Sequence, residues 1–186
     1  MKIVNYYIGD MHFGHTGVIN MDGRPFASVE EMDKALIDNW NKRVTNKDTV
    51  YIIGDLSMRG ANTSTEYLKQ LNGKKVLIKG NHDRLNKDIE KYYLEITPYK
   101  EIHEGGQRII LCHFPIMFFN RQHSGAIMLY AHVHNTIEYE FIETFKKMIA
   151  TKNIPTRIYN VGCMMPYMNY APRTLDEILK ATEQSS

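Results

Sequence analysis

VLIKGNHDRL, residues 76–85, starts as the interior of a sheet and ends in three polar side chains directly after a glycine. Val76, Leu77 and Ile78 have the apolar, partly β-branched character of a strand buried on both faces, whereas Asn81, His82 and Asp83 have no place inside a sheet. Polar groups at the end of a buried strand stand where loops from neighbouring strands meet, which is where open α/β sheets bind ligands. The stretch is therefore read as a strand, 75–79, that delivers chemistry at its carboxyl end.

Outward from it the same pattern recurs. The runs 2–9, 49–54, 107–112 and 127–131 also read as strands, and each is followed at once by polar residues. Between the first two, Ser28 and Glu31 have the spacing of a capping box, and Val29, Met32, Leu36 and Trp40 follow at helical intervals, which predicts a helix over 28–43. Weaker helical patterns cover 64–72, 85–94 and 138–150, the last with Phe141, Phe145, Met148 and Ile149 on one face. Thr174 with Glu177 caps a final helix, and Gly105-Gly106 marks a tight hairpin. Alternating strands and helices followed by a more antiparallel half imply an α/β layered sandwich with helices outside and sheet inside.

Composition narrows the function classes. A chain of 186 residues, 43% hydrophobic and 24% charged, is long enough for one domain spanning 1–186 and short for two. Its net charge of +2 creates no general pull toward duplex nucleic acid or an anionic membrane, so neither is an expected partner. MKIVNYYIGD is too short an apolar run for a signal peptide, and no other run approaches membrane-spanning length. Cys112 and Cys163 show no metal-type pairing, and reduced thiols in a cytoplasmic protein are the expectation.

The polar tails are Asp10 and His12, then Asp55, then Asn81 and His82, then His113, then His132 and His134. One histidine after a strand is an ordinary loop residue; the coincidence at five strand ends is not. Imidazole with carboxylate suits Zn, Mn or Fe, whereas an oxygen-only set suits Mg or Ca. So many donors exceed the needs of one catalytic ion, and a pair of ions sharing a carboxylate fits better.

The series D-x-H, GD, GNHD, H and H-x-H, in this order from Asp10 to His134 and continuing through YNVGCMMPY (159–167), resembles the calcineurin-like metallophosphoesterase superfamily. The resemblance implies an α/β/β/α sandwich with mixed sheets and outer helices. It implies one ion held by Asp10, His12, Asp55 and His134, and a second held by Asp55, Asn81, His113 and His132, with Asp55 as the bridge. Both would be divalent transition ions, Mn first, with Fe, Zn or Ni as alternatives. His82 would face the substrate and protonate the leaving oxygen, while a hydroxide shared by the ions attacks phosphorus in line. The implied activity is that of a phosphoric ester hydrolase, a phosphodiesterase on a small or nucleotide-like substrate. A nuclease on short single strands and a catalytically inactive interaction scaffold of the same fold are the alternatives.

The pattern departs from the family at two places. Ala131 stands where a glycine usually precedes H-x-H, and Met58 stands where the phosphoprotein-phosphatase branch has the aspartate of its D-R-G, although Arg59 and Gly60 are present. Asp83 either orients His82 or caps the helix before RLNKDIEKYY. Arg24, with Arg59 second, is a candidate to fork onto a phosphate oxygen, and His15 to contact substrate or a metal ligand. Phe118 and Phe119 beside Arg121 are packing residues or a platform for a nucleobase. His103 and His123 read as surface or packing residues.

Overall fold

A computed structural model describes residues 3–58 and 60–183. The first half runs β1 (Asn5–Ile8), α1 (Thr16–Asp22), α2 (Val29–Asn41), β2 (Thr49–Ile52), α3 (Ala61–Leu68), β3 (Lys74–Ile78), α4 (Lys87–Glu90) and β4 (Tyr93–Thr97). Its four strands pair in chain order, every pair parallel, so that Tyr6 faces Val50, Tyr51 faces Val76 and Ile78 faces Thr97. Parallel neighbours need crossovers, and the helices supply them.

The second half runs β5 (Tyr99–Glu104), β6 (Gln107–Cys112), β7 (Ile127–Tyr130), α5 (Ile137–Ala150), β8 (Ile158–Asn160) and α6 (Leu175–Glu183). These strands form a second sheet in the order β5-β6-β7-β8, antiparallel across β5/β6 and parallel thereafter. The antiparallel pair closes through Gly105 and Gly106, with φ of 56° and 79°, the turn expected from that dipeptide.

Alternation along β6 and β7 reveals the layers. Ile109, Leu111, Ile127 and Leu129 join the main core with Ile8, Val50, Leu77 and the α2 residues Met32, Leu36 and Trp40. Ile110, Met128 and Tyr130 point the other way, into a smaller core with Ile142 of α5. The second sheet is thus covered on both faces, by the main core within and by α5 outside. The two sheets meet at the ends of β1 and β8, where the Gly9 N–H donates to the Val161 carbonyl and the Cys163 N–H to the Gly9 carbonyl.

Helix ends follow their caps. Thr174 and Glu177 form a complete capping box: the Glu177 N–H donates to Thr174 Oγ1 and the Thr174 N–H to the Glu177 carboxylate. At α2, Ser28 Oγ accepts from the Glu31 N–H as expected, but Glu31 reaches back to the N–H of Ala27 instead of Ser28. The segment expected as a helix over 85–94 is helical only over Lys87–Glu90, and Tyr93 onward is the edge strand β4, half exposed. On α5 the apolar face is offset from expectation. Ile142 and Ile149 turn inward, while Phe141 and Met148 are 67% and 55% exposed, because only one narrow seam of the helix meets the sheet.

Cys112 and Cys163 are buried free thiols. Among the described residues no helix is long and apolar enough to cross a membrane.

Trp40 is fully buried and donates its indole N–H to the Asn72 carbonyl at 2.9 Å. Trp40→Ala is expected to cost about 3–5 kcal/mol, and Trp40→Phe less, because the ring volume is mostly kept. Urea unfolding followed by circular dichroism measures both.

Candidate metal centre

The polar tails leave their strands in a backbone conformation that most residues avoid. Asp10, His12, Asp55, His132 and His134 have φ of 52°, 53°, 54°, 72° and 50°. This is the left-handed region, where Asp and His are among the better tolerated non-glycine types, and such strain persists where the surroundings over-determine it. Here it accompanies convergence. The donor atoms of Asp10, His12 and His134 lie within 4.8 Å of one another, and so do those of Asp55, His113 and His132. Asp55 Oδ2 stands 3.4 Å from His113 Nε2 in one group and 3.8 Å from His12 Nε2 in the other. Asn81 Oδ1 is 3.1 Å from His113 Nε2.

Two glycines make the approach possible. A Cβ on Gly54 would stand 2.3 Å from His113 Nδ1, and one on Gly80 would stand 2.2 Å from Asp55 Oδ1. The glycines before Asp55 and Asn81 are therefore required by the neighbouring donors and not only by the turns.

Hydrogen bonds on the far side of two imidazoles fix what the near side offers. His113 Nδ1 faces the Ile53 carbonyl at 2.9 Å, and since a carbonyl only accepts, Nδ1 carries the proton. Nε2 of a neutral His113 then aims a lone pair at Asp55 Oδ2 and Asn81 Oδ1, both oxygens. His134 repeats the arrangement, with Nδ1 on Asp22 Oδ1 at 2.8 Å and Nε2 only 3.2 Å from His12 Nε2. Asp10 Oδ1 is fully buried without a hydrogen-bond partner, 4.0 Å from His134 Nε2. Nitrogens and oxygens this close repel unless a proton or a metal cation lies between them, and the mixed N/O donors are those that divalent transition ions accept. The residues present fit such ions.

The charges respond to the same crowding. Burial lifts the Asp10 carboxyl to about 6, against the pull of His134 and His113. Burial lowers His12 to about 3, with His134 adding to it. Asp55 goes the other way: burial opposes its ionisation, but the hydrogen bond and charge of His113 and the His82 N–H hold it at about 2. His113 and His134 are raised despite burial, by Asp55 and Asp22 respectively.

Around the donors lies a frame that sequence reading misassigned or missed. Arg24, expected to reach a phosphate, is buried and committed: it donates from Nε to Asp22 Oδ2, from Nη1 to the Met11 carbonyl and from Nη2 to the Asp10 carbonyl, with Nη2 also ion-paired to Asp22. It braces the Asp10 loop and the Asp22–His134 pair. Asp22 went unnoticed because its partner lies 112 positions away, and the only local hint was the turn Asp22-Gly23-Arg24. Asp83 neither caps a helix, a role taken by Asn86, nor bonds the His82 ring. Its carboxylate accepts the N–H groups of Gly80, Asp55 and Leu56, which locks the β3 loop to the β2 loop. Asn160, within the quoted YNVG segment, donates to the His134 carbonyl at 2.8 Å and accepts from the Gly162 N–H.

The remaining expectations divide. His82 is half-buried, its N–H donates to Asp55 Oδ1 at 2.9 Å, and its ring stands 5.7 Å from that of His12. His15 sits before α1 with its ring 5.5 Å from His12, beside the centre but in neither donor group. Arg59 lies outside the described residues. Phe118 pairs with Phe145, Phe119 packs against the smaller core, and Arg121 lies with His103 and Arg108 around a separate depression.

Two outcomes follow for the metal-free protein and for metal uptake. The folded-state value of Asp10 near 6 exceeds the open-chain 3.8, so the folded state binds more protons between these values and stability falls as pH rises through them. Asp10→Asn removes that loss, and the metal-free variant is expected to gain up to about 3 kcal/mol over wild type at pH 7 relative to pH 4, while losing metal uptake. Urea titrations at both pH values check the gain. Asp22→Ala is expected to weaken divalent-ion binding by about 10- to 100-fold, measured by competition with a chelating dye.

Comparison with known proteins places this geometry. The family model described as calcineurin-like phosphoesterase matches residues 6–147. An uncharacterized protein of Methanocaldococcus jannaschii is 36% identical over 182 residues, covering 96% of this chain and 91% of that protein. The Gene 66 protein of Mycobacterium phage D29 is 28% identical over 160 residues, 71% of this chain and 79% of its own. Among solved structures, a protein of unknown function from Aquifex aeolicus superimposes with a TM-score of 0.71 at 25% identity, over 97% of this chain and 100% of that one. With the family model spanning all seven candidate donors, from Asp10 to His134, the chain belongs to the calcineurin-like phosphoesterase family.

Proposed function

We propose that the chain folds as one domain and hydrolyses phosphate esters at two divalent transition ions. One would be held by Asp10, His12, Asp55 and His134, the other by Asp55, Asn81, His113 and His132. The observation that carries this reading is the position of Asp55 Oδ2, within 4 Å of an imidazole nitrogen of each donor group. Bound there, such ions supply Lewis acidity toward phosphoryl oxygens and lower the pKa of water.

The chain's own groups do the rest. Asp55 is held ionised and bridges the two groups. Asn81 contributes a neutral oxygen, which limits the negative charge facing an anionic ester. The His82 backbone is pinned to Asp55 while its ring stays half-exposed, free to give a proton to the leaving oxygen. His15 stands at the rim, where it can contact the ester or support His12.

The finer reading is a phosphodiesterase for a small or nucleotide-like substrate, loaded with Mn in preference to Fe, Zn or Ni, in the cytoplasm. A net charge of +2 supports a small substrate over a long duplex, which takes several phosphate contacts.

With metal content verified by elemental analysis, wild type is expected to hydrolyse bis-p-nitrophenyl phosphate in a reaction abolished by chelation. His82→Ala should lower kcat by about 10²- to 10⁴-fold with metal content unchanged. Faster cleavage of a labelled single-stranded oligonucleotide than of the small ester would move the assignment to a nuclease. No metal-dependent turnover on either, or on p-nitrophenyl phosphate, would leave the fold as a scaffold.

A further inference from the structure

We propose that Phe114 is a ring platform that makes this centre prefer phosphate esters carrying an aromatic or heteroaromatic group. The proposal rests on the hydrolase reading and names its substrate class. Phe114 directly follows His113, and its ring centroid lies 5.2 Å from that of His113 and 4.5 Å from that of His132, edge to face with both. His113 itself is fully buried, yet Phe114 is 46% exposed.

The other apolar residues of this segment lie away from the donors, and Phe118, 63% exposed, is itself no core residue. Ile116, Met117 and Phe119 pack against the smaller core, and Phe118 meets Phe145. Phe114 instead packs on imidazoles of the candidate centre and leaves nearly half its surface to solvent. An exposed ring gains little for folding, and beside the candidate donors it offers a surface that a ligand ring can use.

The platform is also rigid. Pro115 restricts the backbone of the residue before it to extended conformations, and the His113 carbonyl accepts from the Ala131 N–H at 3.0 Å. The Phe114 backbone is therefore held next to a candidate metal ligand, and the ring moves only about its own side-chain bonds. A phosphoryl group bound at the Asp55, His113 and His132 donors brings one ester substituent next to this ring. Stacking tolerates any flat π-system, so aryl esters and nucleotides share the recognised feature.

Non-hydrolysable phosphonates test the platform apart from turnover. Their affinities for the Mn-loaded protein are measured by calorimetry, with metal content verified for every variant. Wild type is expected to bind phenylphosphonate at least about fivefold more tightly than methylphosphonate, and more tightly than the size-matched cyclohexylphosphonate. Phe114→Ala should bring the three within about twofold of one another, Phe114→Leu should keep apolar contact but lose the preference for phenyl over cyclohexyl, and Phe114→Trp should keep it. An adenine-bearing acyclic phosphonate separates the sources: a Phe114-dependent gain larger than that of phenyl points to nucleotides, and a smaller one to aryl esters, both upholding the platform. Equal affinity for the three simple phosphonates in wild type, or an unchanged preference in Phe114→Ala, overturns it. Binding with Phe114-dependent preference but no ester turnover overturns the hydrolase reading alone.

Discussion

Seven polar donors, Asp10, His12, Asp55, Asn81, His113, His132 and His134, crowd together at the carboxyl ends of β1, β2, β3, β6 and β7, and the rest of the structure depends on that crowding being tolerated. The buried groups among them oppose folding: carboxylates lose hydration, imidazole nitrogens crowd one another, and backbones take positive φ. The main core offsets them. It gathers apolar side chains from both sheets and from α2, and it brings the strand ends together whatever those ends carry.

What remains unfavourable is directional. His113 Nδ1 faces outward to the Ile53 carbonyl and His134 Nδ1 outward to Asp22, so a neutral ring of either presents its unprotonated nitrogen inward. Asp10 Oδ1 faces the same region unpaired. A site so arranged is destabilised until a cation arrives, which couples ion binding to the rigidity of the loops. The outer frame keeps that coupling local. Arg24 ties the Asp10 loop to the Asp22–His134 pair, Asp83 ties the Asp55 loop to the Asn81 loop, and Asn160 ties the His134 carbonyl to the β8 loop. Each bracket is a buried hydrogen-bonding group with its partners satisfied, so a donor cannot relax alone.

Much of this was legible because the signals are short in range. Apolar runs ending in Gly-Asp or Gly-Asn-His-Asp, the caps at Ser28 and Thr174, and the Gly105-Gly106 turn each describe a few adjacent residues and were found where expected, save that Glu31 returns to the Ala27 N–H. The losses are equally specific. β4 and β8 are short or half exposed and make no apolar run. The inward face of α5 is set by which seam meets the sheet, so the periodic residues Phe141 and Met148 ended outside. Arg24 resembles a surface arginine in sequence because its carboxylate neighbour Asp22 gives no sign of being anchored by a distant histidine.

The sequence alone determined the strand-and-loop grammar and the identity of the donors, since residue type limits what a side chain can ligate and local spacing limits where a strand must stop. Only the tertiary structure decided which donors share a group, which arginine faces inward and which phenylalanine is left exposed beside them. Those outcomes depend on contacts between separate segments, more than a hundred positions apart for His12 and His134 or Asp22 and His134, and local propensity carries no information about such pairs.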